Sequence, residues 1–146
     1  MAFHVNAASE AGKIKVDEGS PYAGSDSVDI IIHGIGAHGA YPHTGKDPIM
    51  IEARIVSNLQ TIIGRELAPR DADVITVGPF HSGTKHNIIS DRAQLQITVR
   101  SQNSKVREQL LSAIKRVAIG TARTAGVPED MLPEVIIDEF LSTNAE

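Results

Sequence analysis

The sequence predicts a two-layer α+β sandwich, an antiparallel sheet carrying both helices on one face. Three observations carry that expectation. Strand and helix patterns follow the order β-α-β-β-α-β, and the two helical stretches are of comparable length. The cleanest strand pattern, Ala93–Arg100, alternates apolar with polar residues, so one face of its sheet is solvated.

The elements follow in order. Met1–Val5 reads as a strand stub, and Gly12–Val16 as a short edge strand with exposed lysines. Gly19, Pro21 and Gly24 punctuate the approach to Val28–His33, a strand with Val28, Ile30 and Ile32 on one face and Asp29, Ile31 and His33 on the other. A glycine-rich loop then carries His38 and His43, with Gly34, Gly36 and Gly39 allowing sharp turns and close approach. Asp47-Pro48 starts a helix: the aspartate accepts from the first free amides, and proline has no amide to leave unpaired. Ile51, Ile55, Leu59, Ile62 and Ile63 recur at helical spacing with Glu52, Arg54 and Asn58 between them, which predicts a helix from 48 to about 66, ended by Pro69.

Val74–Phe80 is the second clear strand, with Pro79 marking an edge or a bulge. Residues 81–91 form a polar loop with a short apolar turn before Ala93–Arg100. Asn103 or Ser104 caps a second helix whose stripe is Val106, Leu110, Ile114 and Val117, stopped near Gly126-Val-Pro128. Pro133–Asp138 is the last strand and 139–146 a tail. Two helices over a sheet with one polar face, in this order, make the ferredoxin-like split βαβ arrangement.

Composition narrows the function. The 146 residues suffice for one domain with a modest core. A net charge of −4 and an aromatic content of 3% offer neither a basic face nor stacking platforms for nucleic acid. With no cysteine there is no disulfide framework and no thiolate zinc site. No apolar run is long enough to span a bilayer, and the first ten residues lack a signal-peptide pattern, so a cytoplasmic protein with no membrane partner is the expectation.

The candidate chemistry centres on the glycine-histidine loop. His38 and His43 stand five apart, which is not the i,i+4 pairing of a helical zinc motif, and on spacing alone they read as loop histidines bonded to backbone. His33 reads as structural and His81 as a solvated loop residue. Asn87 and Arg100 form a pair suited to a carboxylate, the arginine fork binding it bidentately; the alternative is an exposed strand-end arginine. No Gly-x-Ser-x-Gly nucleophile motif occurs, and the glycines at 34, 36 and 39 do not make a phosphate cradle.

Several blocks together resemble one family. Gly36-Ala-His38-Gly-Ala-Tyr-Pro-His43 with Asp47-Pro48-Ile resembles the lid segment of the metal-dependent amidohydrolases, metallopeptidase family twenty, in its aminoacylase and hippurate hydrolase branch. Leu59-Gln-Thr-Ile-Ile with Arg65-Glu, Val74–Gly78, Gly83-Thr-Lys-His-Asn87-Ile-Ile, Thr98-Val-Arg100-Ser and Val106-Arg107 agree in order, so the likeness spans nearly the whole chain. Prolines usual in the family are replaced by Ser90 and Ala7.

The resemblance implies a lid and dimerisation domain inserted into a larger catalytic domain that holds two divalent metal ions, zinc, manganese or similar. On that reading residues 1–25 are a remnant of a catalytic-domain strand and its connection, 26–138 the lid, and 139–146 a tail leading back. His38 matches the lid histidine that stabilises the oxyanion of amide hydrolysis in the partner subunit's site. Asn87 and Arg100 match positions that bind the substrate carboxylate, and His4 a metal ligand. His43 takes a structural or orienting role.

The other metal ligands and the general base have no counterpart here, so the chain alone is expected to bind no metal and to be inactive. The implied partners are a second copy, a catalytic domain of the same or a separate chain, and an N-acyl amino acid. The alternative is a stand-alone ferredoxin-like module that binds a small molecule or serves assembly without catalysis. The acyl group, the amino acid, the metal and the dimerising edge are left open by the sequence.

Overall fold

In a computed structural model of the chain, residues 7–14, 24–70 and 73–140 are described. The elements are β1 (Gly24–His33), β2 (Ala37–His38), α1 (Pro48–Thr61), β3 (Val74–Ser82), β4 (Ile88–Ile89), β5 (Arg92–Ser101), α2 (Ser104–Thr124) and β6 (Glu134–Phe140). The four long strands form one antiparallel sheet in the order β3-β5-β1-β6. That is the expected split βαβ topology, with α1 and α2 packed on one face.

The alternation expected of β1 and β5 decides which face is covered. Val28, Ile30 and Ile32 of β1 and Ala93, Leu95, Ile97 and Val99 of β5 are buried beneath the helices. Ile51, Ile55, Leu59 and Ile62 meet them from the first helix and its extension, and Leu110, Ile114, Ala118 and Ala122 from α2. Each fully buried Ile or Leu contributes about 1.5–3 kcal/mol over leaving it exposed. The opposite face carries Asp29, His33, Gln94, Gln96, Thr98 and Arg100.

The helix ends follow the sequence chemistry. Asp47 accepts from the Ile49 amide at 2.9 Å with Pro48 in the first turn, and Asn103 accepts from the Val106 amide at 2.9 Å. α2 ends on Gly126, whose φ of +74° favours glycine; Gly126 N–H donates to Arg123 O and Val127 N–H to Ala122 O, satisfying carbonyls the helix leaves open.

Some expectations need correction. The α-helix from Pro48 stops at Thr61 and continues as one π turn, Ile62–Glu66. Gly12–Ile14 is not a strand: Gly12 turns at φ +86° and Ile14 is exposed. The rest of that segment and the stub at 1–5 lie outside the described residues. Pro79 does mark a bulge, since the β3–β5 register shifts between Val77 and Phe80. Glu52, set among the polar residues of the helix, is fully buried.

Candidate functional site

Between β1 and α1 the chain closes a loop on itself. Ile35 and Lys46 exchange backbone hydrogen bonds of 2.9 Å at its neck. The neck is tight: a Cβ on Gly34 would lie 2.5 Å from the Lys46 carbonyl oxygen, and one on Gly45 would lie 2.5 Å from that of Ile35. Inside the loop β2 pairs with β4, His38 opposite Ile88, and Gly39 N–H donates to Asn87 O at 2.8 Å. This small second sheet joins the backbone around His38 to that around Asn87, from loops some fifty residues apart.

The backbone also sets the tautomer of the neutral histidine. Ala40 N–H donates to His38 Nδ1 at 3.0 Å. A backbone amide can only donate, so Nδ1 accepts, and in the neutral ring the proton sits on Nε2. The exposed ring therefore presents an N–H donor outward. Tyr41 packs edge-on against His38 at 5.8 Å and against His43 at 6.2 Å between centroids, which gives His43 its place as a brace for Tyr41.

This donor stands at the surface. His38 and Asn87 are exposed, and Tyr41 and Ile88 beside them leave 58% and 49% of their surface in solvent. The Asn87 side chain makes no hydrogen bond among the described residues. A polar donor set rimmed by exposed apolar side chains is suited to a site that another surface completes.

Arg100 lies elsewhere. It too is exposed, and its guanidinium has no hydrogen bond or ion pair among the described residues. Asn87, however, precedes the first residue of β5 and Arg100 lies next to its last. Arg92 to Arg100 alone spans eight residues, about 26 Å of extended strand. Asn87 and Arg100 thus flank opposite ends of β5, and an extended strand holds its ends apart. Arg100 pairs in register with Ser25, which also pairs with Phe140, so the arginine stands at the end of the sheet where β1 begins and β6 ends.

The remaining histidines divide simply. His33 binds Glu134 Oε1 at 2.8 Å and is structural, as expected. His81 is exposed, on β3 rather than in a loop, and His86 is exposed in the loop before Asn87. His4 lies outside the described residues. Among the described residues no three of His, Cys, Asp or Glu converge, so they do not furnish the three or more protein ligands of a metal centre.

Residues 23–123 match the family model of the M20 peptidase dimerisation domain, more than half of the chain. The chain belongs to the M20 peptidase family. This M20 domain is 37% identical over 124 residues to an N-acetyldiaminopimelate deacetylase of Priestia megaterium, covering 82% of this chain and 33% of that enzyme. It is also 37% identical over 112 residues to the N-acetyldiaminopimelate deacetylase of Leuconostoc mesenteroides, covering 77% and 29%. The chain thus spans about a third of the length of these curated relatives.

Among solved structures it superposes on the YXEP protein of Bacillus subtilis, a dinuclear metal binding peptidase from the M20 family. The TM-score is 0.63 at 28% identity, covering 86% of this chain and 28% of that one. Aminopeptidase PepT of Bacillus cereus shares the fold, with a TM-score of 0.65 at 22% identity over 87% of this chain and 36% of that one. No described helix of the M20 domain is long and apolar enough to cross a membrane.

Proposed function

We propose that this chain is the lid and dimerisation domain of a metal-dependent amidohydrolase that cleaves N-acyl amino acids or related amides, and that its two ends serve two different active sites of a dimer. His38, with Nε2–H outward, donates to the oxyanion that develops on the scissile carbonyl, and Asn87 binds substrate beside it. Arg100, at the end where the chain joins the rest of the protein, binds the substrate carboxylate in its own subunit's site. The hydrolytic centre itself comes from residues other than those described. The deacetylase names of the relatives support an N-acyl substrate.

The observation that carries this reading is the separation of the exposed His38–Asn87 pair from Arg100 by the length of β5. No small amide reaches both ends. A two-fold dimer that carries one subunit's His38 to the other subunit's catalytic domain does bring both to one substrate.

Complementation tests it. Residues 24–140 replace the corresponding domain of the Priestia megaterium deacetylase, and N-acetyldiaminopimelate hydrolysis is followed. In the active chimera, His38→Ala is expected to lower the rate about 10²–10³-fold, the cost of one oxyanion donor. Mixing His38→Ala with Arg100→Ala subunits regains about a quarter of the parent activity, since half of the dimers are mixed and each has one intact site of two. Mixing His38→Ala with Asn87→Ala regains nothing. No recovery in the first mixture would refute the two-ended arrangement.

A further inference from the structure

Glu52 is the most deeply buried carboxylate among the described residues. It is 0% exposed, on the core side of α1. Ser82 Oγ donates to its Oε2, while its Oε1 has no partner among the described residues. Burial raises its pKa, an effect offset in part by the Ser82 hydrogen bond and by His81 nearby. An apolar side chain at this position would fold at lower cost, since the carboxylate leaves a buried oxygen unmatched among the described residues.

What Glu52 holds is informative. Ser82 is the last residue of β3, and the next residue, Gly83, turns the chain at φ +74° into the loop that carries Asn87. That turn is flush with the helix: a Cβ on Gly83 would lie 3.2 Å from Ile49 Cδ1 of α1. The same helix begins directly after the loop that carries His38. At its far end the Asn87 loop is tied to the His38 loop by the bond from Gly39 N–H to Asn87 O and by the β2–β4 pair. The loop from Gly83 to Asn87 is therefore gripped twice, by α1 through Glu52 and Ile49, and by β2.

We propose that Glu52 is a positioning residue for the His38–Asn87 pair, acting through Ser82 on the loop from Gly83 to Asn87. It touches no substrate. With the hydrogen bond in place, α1 fixes the end of the His38 loop and the start of the Asn87 loop, and the Asn87 backbone is held against Gly39, next to His38. Without it the β3 end of the loop lifts from the helix, and Asn87 is held from the β2 side alone. The proposal rests on the functional reading above only for what the pair does.

The test is amide exchange and side-chain NMR of the labelled chain in three variants. Glu52→Ala removes the bond from the helix side and Ser82→Ala from the strand side, the latter with little change in volume. Glu52→Gln keeps a hydrogen-bonding group. Both alanine variants are expected to speed exchange around Lys85–Ile88 about tenfold or more, with β1 and β5 core amides within about threefold of wild type. Both should also shift the Asn87 side-chain amide and His38 ring signals, while Glu52→Gln stays close to wild type. A purely structural role would speed exchange across the whole core and leave the two side-chain signals in place, which would overturn the proposal. Silence of the loop in Ser82→Ala, or loss of its order in Glu52→Gln, would overturn it too. No substrate enters these readouts, so they stand or fall separately from the complementation assay.

Discussion

Removing the guanidinium of Arg107 should cost this domain more than removing the carboxylate it binds. Asp26 lies at the start of β1 on the helix side of the sheet, with its side chain 4% exposed, whereas that of Arg107 is 30% exposed. Arg107 Nε donates to Asp26 Oδ2 at 2.9 Å and a terminal nitrogen donates to Oδ1 at 2.8 Å, a bidentate grip of α2 on β1. In Arg107→Met the aliphatic stem remains, but the carboxylate stays sealed beneath α2 without its counter-charge; breaking a buried pair in this way costs about 3–5 kcal/mol. In Asp26→Ala the partly exposed guanidinium reaches water, so the loss is limited to the charged hydrogen bonds, about 1.5–3 kcal/mol.

The double variant should cost little more than Asp26→Ala alone, so the coupling should approach the whole cost of Arg107→Met, about 3–5 kcal/mol. Urea unfolding followed by circular dichroism measures all four proteins, at one protein concentration because association shifts apparent stability. If Arg107→Met costs less than about 1 kcal/mol, or less than Asp26→Ala, the burial asymmetry is not what sets the energetics, and the argument fails.

Two further perturbations separate local causes. Gly34→Ala forces a methyl to 2.5 Å from the Lys46 carbonyl oxygen and 2.6 Å from Pro48 Cδ, whereas the nearest atom to a Cβ on Gly36 is 3.4 Å away. Gly34→Ala should therefore lower stability by about 1–3 kcal/mol while Gly36→Ala is nearly neutral; equal losses in urea unfolding would dismiss the tight neck as the cause. Glu52 is raised above its ordinary value of 4.5 by burial. Its contribution to stability is then fully present below the unfolded-state pKa and lost as pH rises through the higher folded-state value. The advantage of Glu52→Gln over wild type should accordingly grow as pH rises from about 4 to 8, read as the difference in melting temperature, and a pH-independent difference would contradict the assignment.

The sequence by itself determined the order of the long elements, the buried faces of β1, β5 and α2, the cap at Asp47, that of α2 to within Asn103 or Ser104, and the stop at Gly126. Each is a local matter, since a strand alternates, a helix repeats, and caps and turns act within a few residues. It also marked His38, Asn87 and Arg100 through their motif context. Tertiary structure decided how those three are grouped. Residues β2 and β4 contribute only two apiece, Ala37–His38 and Ile88–Ile89, too few to show any period, so their pairing and the meeting of His38 with Asn87 had no local signal.

The separation of Asn87 from Arg100 likewise needed the sheet, because thirteen residues of sequence become a long distance only when the intervening chain is extended. Glu52 was half legible. Its spacing of three and seven residues from Ile55 and Leu59 places it on the apolar arc of α1. What a carboxylate does there depends on Ser82, thirty residues on, which only the packing of β3 against α1 brings within reach.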